Sequence, residues 1–251
     1  MPGYARRVIV VVGDPILQPF DGHAPAVAGG PAAAIARACA LAGAVVQLAG
    51  RVGDDPAGDE VLLSLTRDGV GHVALLRVAG LSTGIGRPMA RPDDDPARPN
   101  DLPGDTWALQ LDEAADRRTG PVDLAEPGDG PAAAWPTTVS ALAPQDLDLA
   151  LRYLIAFGVL VVAEPVAGAT LAVATESAAY SGAHLVIVGS GAEMPTAPAD
   201  AVTVLEPPSA DPDGDFAAVV ARYAVALDGG APPDRAFRAA LGDSGWESAA
   251  T

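Results

Sequence analysis

The chain has 251 residues, of which 49% are hydrophobic and only 4% aromatic, and its formal net charge is −17 at pH 7. Its core must therefore be built from Ala, Val and Leu, which favours layered helices and strands over an aromatic-rich β-sandwich. The negative charge argues against nucleic acid or an anionic membrane as a partner, because phosphate contacts need a basic face. This length allows one large α/β domain or two small ones.

Other compositional signals exclude further kinds of site. Cys39 is the only cysteine, so no internal disulfide can form, and the three histidines, His23, His72 and His184, are too scattered to suggest a zinc site. The apolar run from Val8 to Val12 is too short for a signal peptide or a membrane span. We therefore expect a cytoplasmic protein.

The first chain segment predicts a buried strand with a candidate ligand residue at its end. Residues 8–12 form an unbroken β-branched run, as in a strand covered on both faces of a sheet. Open α/β sheets bind ligands at the carboxyl ends of their strands, so Asp14 is a candidate substrate-binding residue. A turn aspartate would look the same. Residues 16–28 predict an irregular approach to the next segment.

A glycine pair, Gly29 and Gly30, leads directly into an Ala-rich helix that ends at Gly43. Glycine lets the backbone approach a ligand where a side chain would block it. The amides at the start of a helix can hold a hydroxyl or an anion. A tight strand-to-helix turn would account for the same pair without any ligand.

The next predicted strand, residues 45–49, runs towards an acidic turn that ends in Asp55 and Pro56. Proline is favoured in the first turn of a helix, so this turn predicts the start of an amphipathic helix over residues 57–68. Asp55 is therefore either the cap of that helix or a ligand-binding carboxylate.

The middle of the chain predicts an insert rather than core. Residues 73–78 and 107–112 have strand patterns and are separated by a polar, Pro-rich and acidic stretch, which indicates a solvated loop or lid rather than a metal site. Nothing in residues 113–136 indicates a packed core. We expect a single domain over residues 1–251 with a lid or insert around residues 73–136.

The second half of the chain returns to alternating strands and helices, the order typical of right-handed parallel units. The predicted strands are 159–163, 184–188 and 201–205, and the predicted helices are 146–156, 170–180, 217–227 and 233–241. Gly214 and Asp215 precede the third of these helices, where backbone amides can hold an anion. A capping role would place an Asp there equally well.

Together these motifs resemble the ribokinase-like, or pfkB, carbohydrate kinases. The glycine pair with its helix, strand and the run from Val52 to Gly58 is similar to the first signature of that family. The run from Pro212 to Phe216 resembles its Gly-Ala-Gly-Asp-x-Phe signature. The resemblance implies a three-layer α/β sandwich with a mostly parallel central sheet and a small lid. It also implies a homodimer formed through the lid, over residues 73–112.

The resemblance also implies residue roles. Asp215 would be the general base that takes a proton from a sugar hydroxyl, and Gly214 would contribute to an anion hole for the transferred phosphoryl group. The residues implied on the sugar-binding side are Asp14, Gly29, Gly30 and Asp55. Glu206 is the nearest candidate for the magnesium site. ATP and Mg²⁺ are the implied cofactors, and a sugar-like small molecule is the implied ligand.

The chain also departs from the family pattern, which leaves two functions open. Gln18 stands near the position of a sugar-binding Asp, and the glycine pair lacks the Asn that usually follows it. Pro212 removes a donor amide from the anion hole, and Asp213 adds negative charge there. A Thr-x-Gly-x-x-Gly nucleotide turn is absent from the sequence. The alternatives are an ATP-dependent sugar kinase and a catalytically inactive pseudokinase that binds or regulates.

Overall fold

The computed structural model describes residues 7–20, 25–88, 135, 140–154, 156–189, 201–209, 211 and 215–242. The strands of this part of the chain are β1 (Val8–Val12), β2 (Ile16–Gln18), β3 (Val27–Gly29), β4 (Val45–Gly53), β5 (Gly71–Val78), β6 (Phe157–Val162), β7 (His184–Val188) and β8 (Val202–Leu205). Its helices are α1 (Gly30–Leu41), α2 (Pro56–Arg67), α3 (Pro144–Arg152), α4 (Gly168–Ser181), α5 (Asp215–Asp228) and α6 (Pro233–Gly242).

Six of these strands form one central sheet in the order β5-β4-β1-β6-β7-β8, and every described pair in it is parallel. Successive side chains of a strand point to opposite faces, so each face of β1 contributes to a different core. Ile9 and Val11 pack with α1, α2, α5 and α6, whereas Val10 and Val12 pack with α3 and α4. The predicted three-layer α/β fold with a mostly parallel sheet is confirmed.

The small residues of the Ala-rich helices let α1 and α5 pack closely on one face of the sheet. Cys39 of α1 is fully buried, and its Sγ lies 4.0 Å from the carbonyl oxygen of Ala221 in α5. Burial raises the pKa of the Cys39 thiol to about 12, with a smaller contribution from the charge of Asp228. The cysteine is therefore a protonated core residue at neutral pH.

The prediction of an irregular segment over residues 16–28 is wrong, because β2 and β3 form an antiparallel hairpin there. Residues 84–86 join this hairpin: the Leu17 amide donates to the Gly84 carbonyl at 2.8 Å, and the Gly86 amide donates to the Leu17 carbonyl at 2.8 Å. Each hairpin strand has only three residues, too few for an alternating pattern to be recognised in the sequence.

The predicted strand over residues 73–78 corresponds to β5, which forms one edge of the central sheet. An insert would therefore begin after Val78. The predicted strand over residues 107–112 lies outside the described residues. None of the described helices is long and apolar enough to cross a membrane.

The order of the strands reverses between β1 and β6. From β1 the chain crosses to β4 and then β5 on one side, and from β6 it crosses to β7 and then β8 on the other. In open parallel sheets the crevice at such a reversal, beyond the carboxyl ends of the strands, is the usual place for a ligand. We call this region the switch-point edge.

Candidate functional site

Asp14 lies at the switch-point edge, directly after β1, and its carboxylate is already paired with Arg51 of β4. The Arg51 amide donates to Oδ1 at 2.8 Å, and Nη2 of the Arg51 guanidinium donates to Oδ2 at 2.7 Å. The side chains of Arg51 and Asp14 are 13% and 27% exposed. The predicted ligand residue is therefore one half of a largely buried ion pair.

Glu164, which follows the end of β6 and Ala163, is a site residue that the sequence interpretation missed. It is only 9% exposed, and its Oε1 accepts the backbone N–H of Asp14 at 3.0 Å. Burial raises the pKa of the Glu164 carboxyl, partly offset by the hydrogen bonds from Asp14 and Ser140. A charged residue at the end of a buried strand was the signal that identified Asp14, and it would have identified Glu164 as well.

The backbone geometry favours glycine at both positions of the glycine pair, independently of the proposed role of the pair in ligand binding. A Cβ atom on Gly29 would lie 2.6 Å from the Cβ of Gln18, so the hairpin requires glycine there. Gly30 begins α1 with a φ of 83°, a left-handed conformation that favours glycine. The pair thus sets the position at which α1 begins, beside the switch-point edge.

Asp55 is the N-cap of α2 and holds a nearby loop. Its carboxylate accepts the Gly58 amide at 2.8 Å, the Thr83 amide at 2.8 Å and the Thr83 hydroxyl at 2.7 Å. The Thr83 Oγ1 in turn accepts the Gly53 amide at 2.9 Å. The hydrogen bonds from Thr83, followed by that from Gly58, lower the pKa of Asp55. Of the two roles predicted for Asp55, the structure shows the helix cap.

Replacing Asp55 by alanine is expected to lower the melting temperature at pH 7, because three donors lose their acceptor. Since the pKa of Asp55 is lowered on folding, its contribution is complete above the unfolded pKa of about 3.9 and is lost as the pH falls through the folded pKa. The melting difference should therefore shrink in strong acid. Asp59 lies on the same helix as Asp55 and forms an exposed ion pair with Arg77 of β5, so Asp59→Ala is the control and should have a small effect. Equal melting of Asp55→Ala and wild type at pH 7 would contradict this account.

Asp215 begins α5 and is exposed at the same edge of the sheet as the glycine pair. In a parallel sheet a helix that follows a strand begins near the carboxyl end of that strand. Helices α1 and α5 pack side by side on one face. Their first residues, Gly30 and Asp215, therefore belong to the same edge. Gly214, the predicted anion-hole residue, lies outside the described residues.

A carboxylate from before α5, which the sequence interpretation did not consider, contacts the start of that helix. Asp211 is 9% exposed, and its Oδ1 and Oδ2 lie 3.4 and 3.3 Å from the Phe216 backbone nitrogen, which donates to them. Amides at a helix start are the groups that would hold a phosphate. An internal carboxylate thus already uses one of them.

Trp135 connects the end of β6 with the start of α5. Its Nε1 donates to the Ala163 carbonyl at 3.2 Å, and its ring packs edge-on against Phe216 with centroids 5.1 Å apart. The sequence of residues 113–136 does not indicate a packed core, but Trp135 packs against the core. The sequence around Trp135 has no periodic hydrophobic pattern that could have indicated this contact.

Glu206 follows β8 and is exposed. Among the described residues, no group of three or more His, Cys, Asp or Glu side chains is placed to hold a metal ion. The carboxylate oxygens of Glu206 and Asp215 are the hard donors that Mg²⁺ prefers. At the start of α5, a phosphate group would compete with Asp211 for the Phe216 amide.

Comparison with known proteins identifies the segment that contains the glycine pair. Residues 22–94 match the pfkB family carbohydrate kinases. No curated protein matches the chain as a relative.

Solved structures with similar folds include sugar kinases. Arabidopsis thaliana ribokinase, complexed with ribose and ATP, is 17% identical with a TM-score of 0.54, and the match covers 95% of this chain and 91% of that one. A putative ribokinase from Agrobacterium tumefaciens is 15% identical with a TM-score of 0.45, covering 92% and 87%. Aminoimidazole riboside kinase from Salmonella enterica is 15% identical with a TM-score of 0.42, covering 73% of this chain and 50% of that one.

The chain thus spans about half the length of the aminoimidazole riboside kinase structure that it matches. At a sequence identity of 17%, the structural similarity shows only the fold. The match to the pfkB family is limited to residues 22–94. The chain therefore has a ribokinase-like α/β fold, and its residues 22–94 resemble the pfkB family carbohydrate kinases.

Proposed function

We propose that this chain is a sugar-kinase-like protein that binds a sugar or a related small molecule at the switch-point edge. One observation carries the proposal: α1 and α5 begin at the same edge of the sheet, so Asp215 lies on the side of the glycine pair, which belongs to the pfkB-like segment. The ribose and ATP bound by the Arabidopsis ribokinase of the same fold support this choice of ligand class.

The proposed reaction is ATP-dependent phosphorylation of a hydroxyl group. Asp215 would accept the proton of that hydroxyl, and its exposure leaves the carboxylate accessible to a ligand. Asp14, Gly29, Gly30 and Asp55 would form the substrate side. Mg²⁺-ATP would supply the phosphoryl group, and Glu206 is the proposed metal-binding carboxylate.

A second candidate is a catalytically inactive pseudokinase that keeps the sugar site for binding or regulation. The observation that favours it is the contact between Asp211 and the Phe216 amide, which sets a carboxylate where a phosphate would bind. Two negative charges ~4 Å apart repel by about 4 kcal/mol at an effective dielectric near 20. That is roughly a thousandfold loss of phosphate occupancy.

Two measurements on the purified protein distinguish the kinase from the pseudokinase. ADP release is measured with Mg²⁺-ATP and a panel of pentoses and hexoses, and calorimetry measures the binding of each sugar and of ATP. Sugar-dependent ADP release supports the kinase. Sugar binding without ATP binding supports the pseudokinase, and the absence of any sugar binding contradicts both.

We further propose that residues 1–251 form one cytoplasmic domain with a lid or insert around residues 73–136. Strand β5 overlaps the start of that range and belongs to the central sheet. The chain is proposed to dimerise through residues 73–112. Light scattering at working concentration should give twice the chain mass of 25.1 kDa. A monomer under those conditions would count against the dimer.

A further inference from the structure

A cavity of about 690 Å³ lies at the end of the central sheet opposite to the switch-point edge. The carboxyl ends of α1 and α5 line it, together with Val45, the first residue of β4, and Gly158 of β6. Its described lining contains one acidic side chain, Asp228, and one basic side chain, Arg7. None of these residues has a part in the proposed kinase reaction.

Asp228, the last residue of α5, has an unpartnered carboxylate oxygen. Its Oδ1 is buried, and no donor of the described residues reaches it. Burial raises the pKa of Asp228, and the charge of Arg7 lowers it in part. An acid at this end of a helix is also unfavourable, because the helix dipole places partial negative charge there. The stability of the fold therefore does not account for a carboxylate at this position.

Arg7 lies beside Asp228 without pairing with it. A Cβ atom on Gly158 would lie 2.7 Å from Oδ1 of Asp228 and 3.0 Å from Cδ of Arg7, so glycine lets both side chains lie against β6. The Arg7 guanidinium takes part in none of the ion pairs of the described residues, and the residue is exposed. It is therefore available to an anionic group in the cavity.

The two helix ends add to the charge pattern of the cavity. Neither α1 nor α5 has a basic residue in its last turn, so the partial negative charge at their carboxyl ends is not offset within either helix. This charge and Asp228 favour a bound cation. The planar guanidinium of Arg7 matches the geometry of a carboxylate. The cavity thus offers neighbouring places for an ammonium group and for a carboxylate group.

We propose that this cavity binds a small zwitterion, an α-amino acid, with its ammonium group on Asp228 and its carboxylate on Arg7. Both groups of an α-amino acid are attached to one carbon atom, so they can reach two neighbouring side chains. The cavity volume lies in the range typical of small-molecule sites. A neutral sugar carries neither charge, so this site is separate from the proposed sugar site and does not depend on it.

The test is calorimetry at pH 7 with the standard L-amino acids. For the ligand that binds most tightly, the N-acetyl derivative lacks the ammonium charge and the carboxamide lacks the carboxylate. Each derivative should bind wild type more weakly by about tenfold or more. Asp228→Asn and Arg7→Gln should each weaken the amino acid by a similar factor. Asp228→Asn should no longer discriminate against the N-acetyl derivative, and Arg7→Gln should no longer discriminate against the carboxamide.

Two controls carry the same charge changes away from the cavity. Asp68 caps the carboxyl end of α2 and pairs with Arg37, and Arg152 is an exposed residue of α3 that pairs with Asp148. Asp68→Asn and Arg152→Gln should bind the amino acid as wild type does. Asp228→Asn should melt no lower than wild type, because it removes a buried charge without a partner.

The discrimination between the amino acid and its two derivatives is the deciding quantity, since a purely structural role of either side chain would not change it. Equal binding of all three compounds by wild type overturns this inference. The same conclusion follows if both variants keep the wild-type discrimination, or if wild type binds none of the amino acids. Sugar binding should be unchanged in both variants, so a failure of the proposed function would be a separate result.

Discussion

Replacement of Asp215 by asparagine is expected to reduce sugar-dependent ADP release by about 100-fold or more, the usual contribution of a positioned general base. Asparagine keeps the size of the side chain but cannot take the proton of a hydroxyl. Because Asp215 is exposed and begins a helix, the variant should fold normally and keep its sugar affinity within a few fold. The measurement is the initial rate of ADP release, with calorimetry of sugar binding in parallel.

The matched control for this variant is Asp234→Asn. Asp234 is also an exposed acid in the first turn of a helix, α6, where it pairs with Arg238. Helix α6 begins after α5 has run back across the sheet, away from the switch-point edge. Asp234→Asn should release ADP at the wild-type rate. Equal activity of Asp215→Asn and wild type would show that Asp215 is not the base.

Replacement of Gly50 by alanine is expected to destabilise the protein by about 3 kcal/mol or more, at the upper end of overpacking effects. A Cβ atom on Gly50 would lie 2.2 Å from the carbonyl oxygen of Gly13, which is backbone of the neighbouring strand region and cannot move aside. The same Cβ would lie 3.3 Å from Oδ1 of Asp14. The substitution therefore disturbs the sheet and the site together.

Urea unfolding measures this effect, and Gly168→Ala provides the control. Gly168 begins α4 without a left-handed backbone, and a Cβ atom added to it would meet no other atom within 4 Å. Its replacement should be neutral or stabilising by up to about 1 kcal/mol. A Gly50→Ala variant as stable as wild type would mean that β1 and β4 are not paired as described.

Much of the fold can be predicted because buried parallel strands have a distinctive sequence pattern. The runs at residues 8–12 and 184–188 are continuously apolar after their first residues, which occurs when both faces of a strand are covered. Glycines after the helices mark their ends, as Gly182 does for α4 with a left-handed backbone. Three-residue strands such as β2 and β3 contain too few residues for any such pattern.

The site is less predictable because its contacts depend on the order of the strands. Asp14 and Arg51 are 37 residues apart, and Asp14 and Glu164 are 150 residues apart. Local sequence patterns indicate that each residue lies near the end of a strand. They do not indicate which strands are neighbours in the sheet. The position after a buried strand identified Asp14, whereas Glu164 and Asp211 were not recognised from the sequence.

The most direct test of the account is a crystal structure of the protein with a neutral sugar and a non-hydrolysable ATP analogue. We expect the sugar at the switch-point edge, against Asp14 and the glycine pair, with one hydroxyl directed towards Asp215. A sugar bound instead in the cavity of about 460 Å³ lined by Arg7, Gly158 and His184 would contradict the assignment of the site.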